Sequence, residues 1–217
     1  MRKRLIVYDL DGTLVDTGQD IAAAVNHALT VLCSAPLPRD DIRRFVGRGL
    51  HDLIRRCLQT DDPELIQRGL TLFEAYYAQH LVDHTTLYPH AKTLLDYFKD
   101  RKQAIVTNKP HPFARDLLVA LGVADYFVEV LPGGCGYPKK PDPTALLALM
   151  KRQQAAPQDT LLVGDSLIDV DTGRHAGVLT LIMTHGFEDQ EALAAASPDV
   201  TVGNFEELLD VVRRQGW

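Results

Sequence analysis

Leu5-Ile6-Val7-Tyr8-Asp9-Leu10-Asp11-Gly12-Thr13 is the stretch on which the fold of this chain turns. Its first four residues, β-branched, aliphatic or aromatic, make a buried-strand signal. The run then stops at a carboxylate, meets a second one two residues on, and turns at a glycine. Side chains two apart on a strand face the same way, so Asp9 and Asp11 project together while Leu10 points into the core. Carboxylates at the C-terminal end of a parallel strand lie where open α/β sheets place their ligand crevices. Like charges that close repel, and a bound cation relieves them. Taken alone, the stretch also fits a strand running into an ordinary Asp-Gly turn.

Outward from it, strand-like runs recur at residues 104–107, 127–131, 161–163, 179–183 and 200–202. Helical patterns at 89–99, 112–121, 143–152 and 168–176 lie among them, and an amphipathic segment at 205–214 closes the chain. This alternation predicts right-handed βαβ units and a mostly parallel sheet, a Rossmann-like three-layer α/β core. One interval breaks the rhythm. Residues 17–83 hold no credible strand; apolar residues there recur at helical spacing over 21–32 and in runs from Asp40, His51 and Pro63 to about Leu81. The expected division is therefore an α/β core of residues 1–16 and 84–217 with a small all-helical cap, 17–83, inserted after the first strand.

With 217 residues, 46% of them hydrophobic, the chain can bury one substantial core and a smaller appendage. A net charge of −6 argues against a nucleic-acid-binding surface. No segment approaches the roughly 20 apolar residues of a membrane span, and the four apolar residues after Arg2-Lys3-Arg4 are too few for a signal peptide. A cytoplasmic protein is expected. Cys33, Cys57 and Cys135 are odd in number and widely spaced, which speaks against a disulfide framework or zinc site. Monomer and homodimer are both open.

Three further strand ends carry polar groups: Thr107-Asn108-Lys109, then Lys139-Lys140-Pro141 ahead of a helix, then Gly164-Asp165-Ser166 with Asp169 beyond. In a parallel sheet such ends share one edge. Carboxylates with hard oxygen donors suit Mg2+; a hydroxyl and backbone N–H groups at strand-to-helix turns suit phosphate. A lysine offsets the negative charge gathered there, and an aspartate can attack phosphorus. Each element alone is an ordinary turn or helix cap.

In this order, DLDGT, TN, KP and GDSxxD resemble the haloacid dehalogenase superfamily of phosphotransferases. The stretches DLDGTLVDTGQDIAAAVNHAL, FVGRGLHDLI, IVTNK, KKPDP and VGDSLIDVDTGRHAG are similar to its phosphoglycolate phosphatases. The resemblance implies a Mg2+-dependent phosphomonoesterase acting on a small phosphorylated metabolite, 2-phosphoglycolate. It implies Asp9 as nucleophile and Asp11 as acid/base, with Thr107, Asn108 and Gly12 around the phosphoryl oxygens. Lys140 is the motif lysine. Mg2+ falls to Asp9, the Asp11 backbone carbonyl and Asp165, with Ser166 and Asp169 in support. For this chemistry Asp11 must carry a proton when substrate binds, while Asp9 stays ionised.

In the cap, Val46-Gly47-Arg48-Gly49-Leu50 could bring Arg48 to a substrate carboxylate, or be a glycine turn with a solvated arginine. Lys109 and His111 could rim the entrance or simply be exposed. A dehalogenase would lack Asp11, and a non-catalytic binder would lack a catalytic group. Sugar-phosphate phosphatase, β-phosphoglucomutase-like mutase, pyrophosphatase and nucleotidase remain alternatives.

Overall fold

The structure, a computed structural model, describes residues 2–217. Strand β1 (Leu5–Tyr8) is buried along its whole length and lies at the centre of a six-stranded sheet. Strands β4 (Lys102–Pro110) and β5 (Glu129–Gly133) lie to one side of it; β6 (Thr160–Gly164), β7 (Leu179–Met183) and β8 (Val200–Val202) lie to the other. Every neighbouring pair in this sheet is parallel. The chain builds outward from β1 to β5, then returns to the far side of β1. That reversal is the switch point at which open sheets bind ligands.

Side-chain alternation divides the strands between two layers. Ile6 and Tyr8 pack with Leu94, Phe98, Leu117 and Phe205, on helices α5 (Ala91–Tyr97), α6 (Phe113–Ala120) and α10 (Phe205–Gln215) or beside them. Leu5 and Val7 face the other way, onto Leu146, Leu149 and Met150 of α7 (Thr144–Gln153). Both faces are thus covered, the condition for a fully apolar parallel strand. Helix α8 (Leu167–Ala176) follows β6, and α9 (Gln190–Ala196) is a short element that sequence periodicity misses. It packs Leu193 on Val170 and Ile182.

Between β1 and β4 the chain leaves through β2 (Val15–Asp16) and returns through β3 (Thr86–Leu87), two short antiparallel segments. Between them run α1 (Gly18–Val31), α2 (Arg39–Arg43), α3 (Leu50–Leu58) and α4 (Pro63–Tyr77). These helices bury Ile21, Val25, Leu29, Ile42, Ile54, Ile66 and Phe73 in a cluster separate from the sheet's, joined by Phe113 of α6. Asp20, buried at the start of α1, accepts hydrogen bonds from the backbone N–H groups of His84 and Thr85 and from the Thr85 hydroxyl. The outgoing and returning segments are thereby tied together. Among the described residues no helix is long and apolar enough to cross a membrane.

Candidate active site

Register explains why distant residues meet. Tyr8 is level with Ile105 on one side and Val163 on the other. Asp9 emerges one residue past that line, Thr107 and Asp165 two. The Asp9 N–H still donates to Val163 O at 2.9 Å, which fixes where β1 ends. Beside β5 the pairing of β4 slips between Val106 and Pro110, so Thr107, Asn108 and Lys109 face Pro132 alone. A bulge of this kind re-aims side chains, and all three of these residues line one cavity. Gly133 permits it: a Cβ there would lie 2.5 Å from the Asn108 carbonyl oxygen.

Asp9, Asp165 and Asp169 are buried and offer carboxylate oxygens within 4.8 Å of one another. Lys140 Nζ sits among them, 3.0 Å from Asp9 Oδ1 and 2.6 Å from Asp169 Oδ1. Burial works to lower the Lys140 pKa, but Asp169 and Asp9 outweigh it and hold the ammonium charged. Three carboxylates against one ammonium leave two negative charges in a dry site, the deficit a divalent cation fills. Asp9 Oδ1 receives no well-directed hydrogen bond in spite of its ion pair, so it is a ready ligand.

Asp165 sits in a cradle. Thr13 Oγ1 donates to its Oδ1 at 2.6 Å and the Phe187 N–H to its Oδ2 at 2.9 Å. A Cβ at Gly12 would lie 2.3 Å from Asp165 Oδ2, and one at Gly186 2.2 Å. Gly12 also has φ +82°, a conformation glycine adopts without strain. Asp169 has both oxygens engaged: Oδ1 with Lys140, and Oδ2 with the Asp165 N–H, the Ser166 N–H and the Ser166 hydroxyl. Asp9, Asp165 and Asp169 each present an oxygen that a metal could take, and Asp169 also pairs with Lys140 and caps α8.

Without a metal, Asp9 is a weaker acid than an exposed aspartate. Burial pushes its carboxyl up to about 6; Lys140 and the Thr107 hydroxyl oppose this, while Asp169 and Asp11 add to it. Burial, with Asp169 and Asp9, also holds Asp165 well above the usual carboxylate range. A bound cation inverts both effects.

Asp11 stands apart. Its Oδ1 accepts from Thr17 Oγ1 at 2.7 Å and from Lys109 Nζ at 2.9 Å. Lys109 lines the cavity and is 6% exposed, so of its two expected readings simple exposure is corrected; its second contact, at 2.8 Å, is Tyr77 OH of α4. Asn108 does more than turn the chain. Its side chain donates to Gly47 O and Lys140 O and accepts from the Lys140 N–H. Two expected substrate contacts are not brought in. Gly12 spends its N–H on Val15 O, and Arg48 is exposed and outside the cavity lining. Lys139 is exposed, and Asp171 pairs with Arg174 on the outer side of α8.

The cavity above Asp9 and Asp11 holds about 50 Å3 of free space. Ile21, Val46, Leu50, Leu53 and Phe73 wall it from the helical side. Thr13, Gly186 and Phe187 carry functional contacts that sequence reasoning did not single out. Thr13 was within reach because it completes the Asp9–Thr13 stretch. Gly186 and Phe187 follow β7 in a segment with no local signal.

A buried carboxylate beside a buried lysine, with acidic groups at the next strand end of a parallel sheet, is an arrangement suited to handling phosphate. The family model for "Haloacid dehalogenase-like hydrolase" matches residues 6–183, and the chain belongs to that family. It is 36% identical to a phosphoglycolate phosphatase of Vibrio parahaemolyticus, with 96% of each chain covered. A phosphoglycolate phosphatase of Vibrio vulnificus is 39% identical, again over 96% of both. The crystal structure of a predicted phosphoglycolate phosphatase from Haemophilus somnus superposes with a TM-score of 0.93 at 27% identity, covering 98% of this chain and 99% of that one.

Proposed function

We propose that the protein is a Mg2+-dependent phosphatase that hydrolyses 2-phosphoglycolate to glycolate and phosphate through an aspartyl-phosphate on Asp9. The observation that carries this is the unequal setting of two aspartates two residues apart. Asp9 sits with Lys140 among buried carboxylates, while Asp11 is held by Lys109 and Thr17.

An Asp9 carboxylate oxygen attacks phosphorus and the P–O bond to the alcohol breaks. Asp11 has Oδ1 occupied by Thr17 and Lys109, which leaves Oδ2 as the oxygen to hand a proton to the leaving oxygen. Water then attacks phosphorus, its proton passes to Asp11, and the Asp9–phosphorus bond breaks to release phosphate. Thr107 and Lys140 receive the phosphoryl oxygens. Mg2+, a hard ion suited to these oxygen donors, would be held by Asp9, Asp165 and the Asp11 carbonyl, and would supply charge stabilisation to the phosphoryl group.

Residues 17–83 act as a cap and residues 1–16 and 84–217 as the catalytic core. The separate apolar cluster and the paired β2 and β3 connections support this division. The names of the Vibrio relatives support 2-phosphoglycolate. Three free cysteines suit the reducing cytoplasm.

A panel of phosphomonoesters assayed with Mg2+ and with EDTA tests the reading. The highest kcat/KM is expected for 2-phosphoglycolate, and only with metal. A clear preference for sugar phosphates would withdraw the substrate and keep the phosphatase; phosphate release that EDTA leaves untouched would withdraw the metal.

A further inference from the structure

In the chemistry just derived Lys109 only holds Asp11 and Tyr77 has no part, yet both are buried in the cavity wall, 6% and 1% exposed. A buried lysine is retained where its charge meets a partner. Of the three N–H donors on Nζ, Asp11 Oδ1 takes one and Tyr77 OH a second. The third has no acceptor among the described residues. Tyr77 OH accepts that bond, and among the described residues nothing takes its own proton. Two unspent donors therefore sit side by side in the cavity wall, next to the apolar Ile21, Leu53, Phe73 and Phe113. Unused donors in a dry pocket are costly until a ligand with acceptor oxygens arrives.

Their position says which part of a ligand that is. Lys109 touches Asp11, and Asp11 faces the leaving oxygen. A group two bonds beyond the leaving oxygen falls beside Nζ. In 2-phosphoglycolate that group is the carboxylate. Among the side chains lining the cavity Lys109 is the one cation; Arg48, the other candidate, lies outside the lining. Tyr77 belongs to α4 and Lys109 to β4, so the pair bridges helical segment and sheet. We propose that Lys109 Nζ and Tyr77 OH form the carboxylate subsite that makes the enzyme selective for phosphorylated hydroxy acids. This deepens, and rests on, the 2-phosphoglycolate reading.

The test is the ratio of kcat/KM for 2-phosphoglycolate to that for ethyl phosphate, which has the same chain without the carboxylate. Using a ratio cancels any effect on Asp11 that both substrates share. Lys109→Met should lower the ratio by about 100-fold. Tyr77→Phe, which keeps the ring packed on Phe73 and Phe113, should lower it by about 5-fold, chiefly through KM. Arg48→Met should leave it unchanged. Equal losses on both substrates in Lys109→Met would overturn the subsite while leaving the proposed substrate standing, as would a ratio that falls only in Arg48→Met. A wild-type enzyme without preference for the carboxylate would remove the substrate reading, and the subsite with it.

Discussion

Replacing Asp169 by Asn changes one atom and tests the architecture of the whole site. Asp169 is fully buried, and its two oxygens serve different masters. Oδ1 meets Lys140 Nζ at 2.6 Å; Oδ2 meets the Asp165 N–H at 3.3 Å, the Ser166 N–H at 3.2 Å and the Ser166 hydroxyl at 2.7 Å. An asparagine must aim its NH2 at one of these sets. Aimed at Ser166 it faces two backbone donors, with only the hydroxyl able to turn and accept. Aimed at Lys140 it faces an ammonium. Either way a charge-assisted bond goes and at least one buried donor is stranded, at about 1–3 kcal/mol each. The sum is about 4 kcal/mol, in the range for breaking a buried pair. For a chain of this length that lowers Tm by about 10 °C. Activity should fall about 10- to 100-fold because Lys140 loses its orienting partner.

Urea unfolding and thermal melts in EDTA measure the first effect; steady-state kinetics with Mg2+ measure the second. Asp171→Asn is the control: it lies on the same helix, its exposed pair with Arg174 is at 3.0 Å, and it should cost under about 0.5 kcal/mol. If Asp169→Asn were no less stable than Asp171→Asn, the reasoning that Asp169 anchors Lys140 and the start of α8 would be refuted.

Other perturbations follow from the same geometry. Asp9→Asn should abolish turnover and the acid-stable phosphoryl-enzyme trapped from substrate; normal activity in the pure variant would sink the nucleophile assignment. Asp11→Asn keeps an acceptor for Lys109 and Thr17, so substrate affinity should survive while kcat falls at least about 100-fold, read from a competition assay alongside turnover. Gly186→Ala places a methyl 2.2 Å from Asp165 Oδ2 and should weaken Mg2+ binding, measured by calorimetry, before it unfolds the protein. Stability in EDTA should decline as pH rises. Burial raises the Asp9 carboxyl to about 6, so between about 4 and 6 the folded protein holds a proton that the unfolded chain has lost. The contribution is greatest at low pH and is lost through about 6, about 1 kcal/mol between pH 5 and 7.5, and Mg2+ should flatten it. A urea midpoint in EDTA that rose over that range would contradict the burial argument.

Local chemistry wrote much of this into the chain. The apolar run 5–8 ending at Asp9, the repeat of such endings near Thr107 and Asp165, and helical spacing over 17–83 are visible because strand and helix periods act over a few residues. They determine the parallel sheet, the inserted helices and the candidates Asp9, Asp11, Thr107, Lys140 and Asp165. What the periods cannot carry is the meeting of side chains far apart in sequence. Lys109 reads equally as an entrance residue or an exposed one until the slip in β4 turns it toward Asp11, 98 residues earlier, and Tyr77 of α4 closes over it. Arg48 reads equally as a substrate contact and as a solvated arginine in a glycine turn, and the backbone turns it out to solvent. Gly186 and Phe187 have no local mark at all, since their role is to leave room for Asp165 and to donate to it. Sequence by itself determined which groups are available to the reaction. Tertiary packing decided which of them are buried, and burial selects the partner each charge must have.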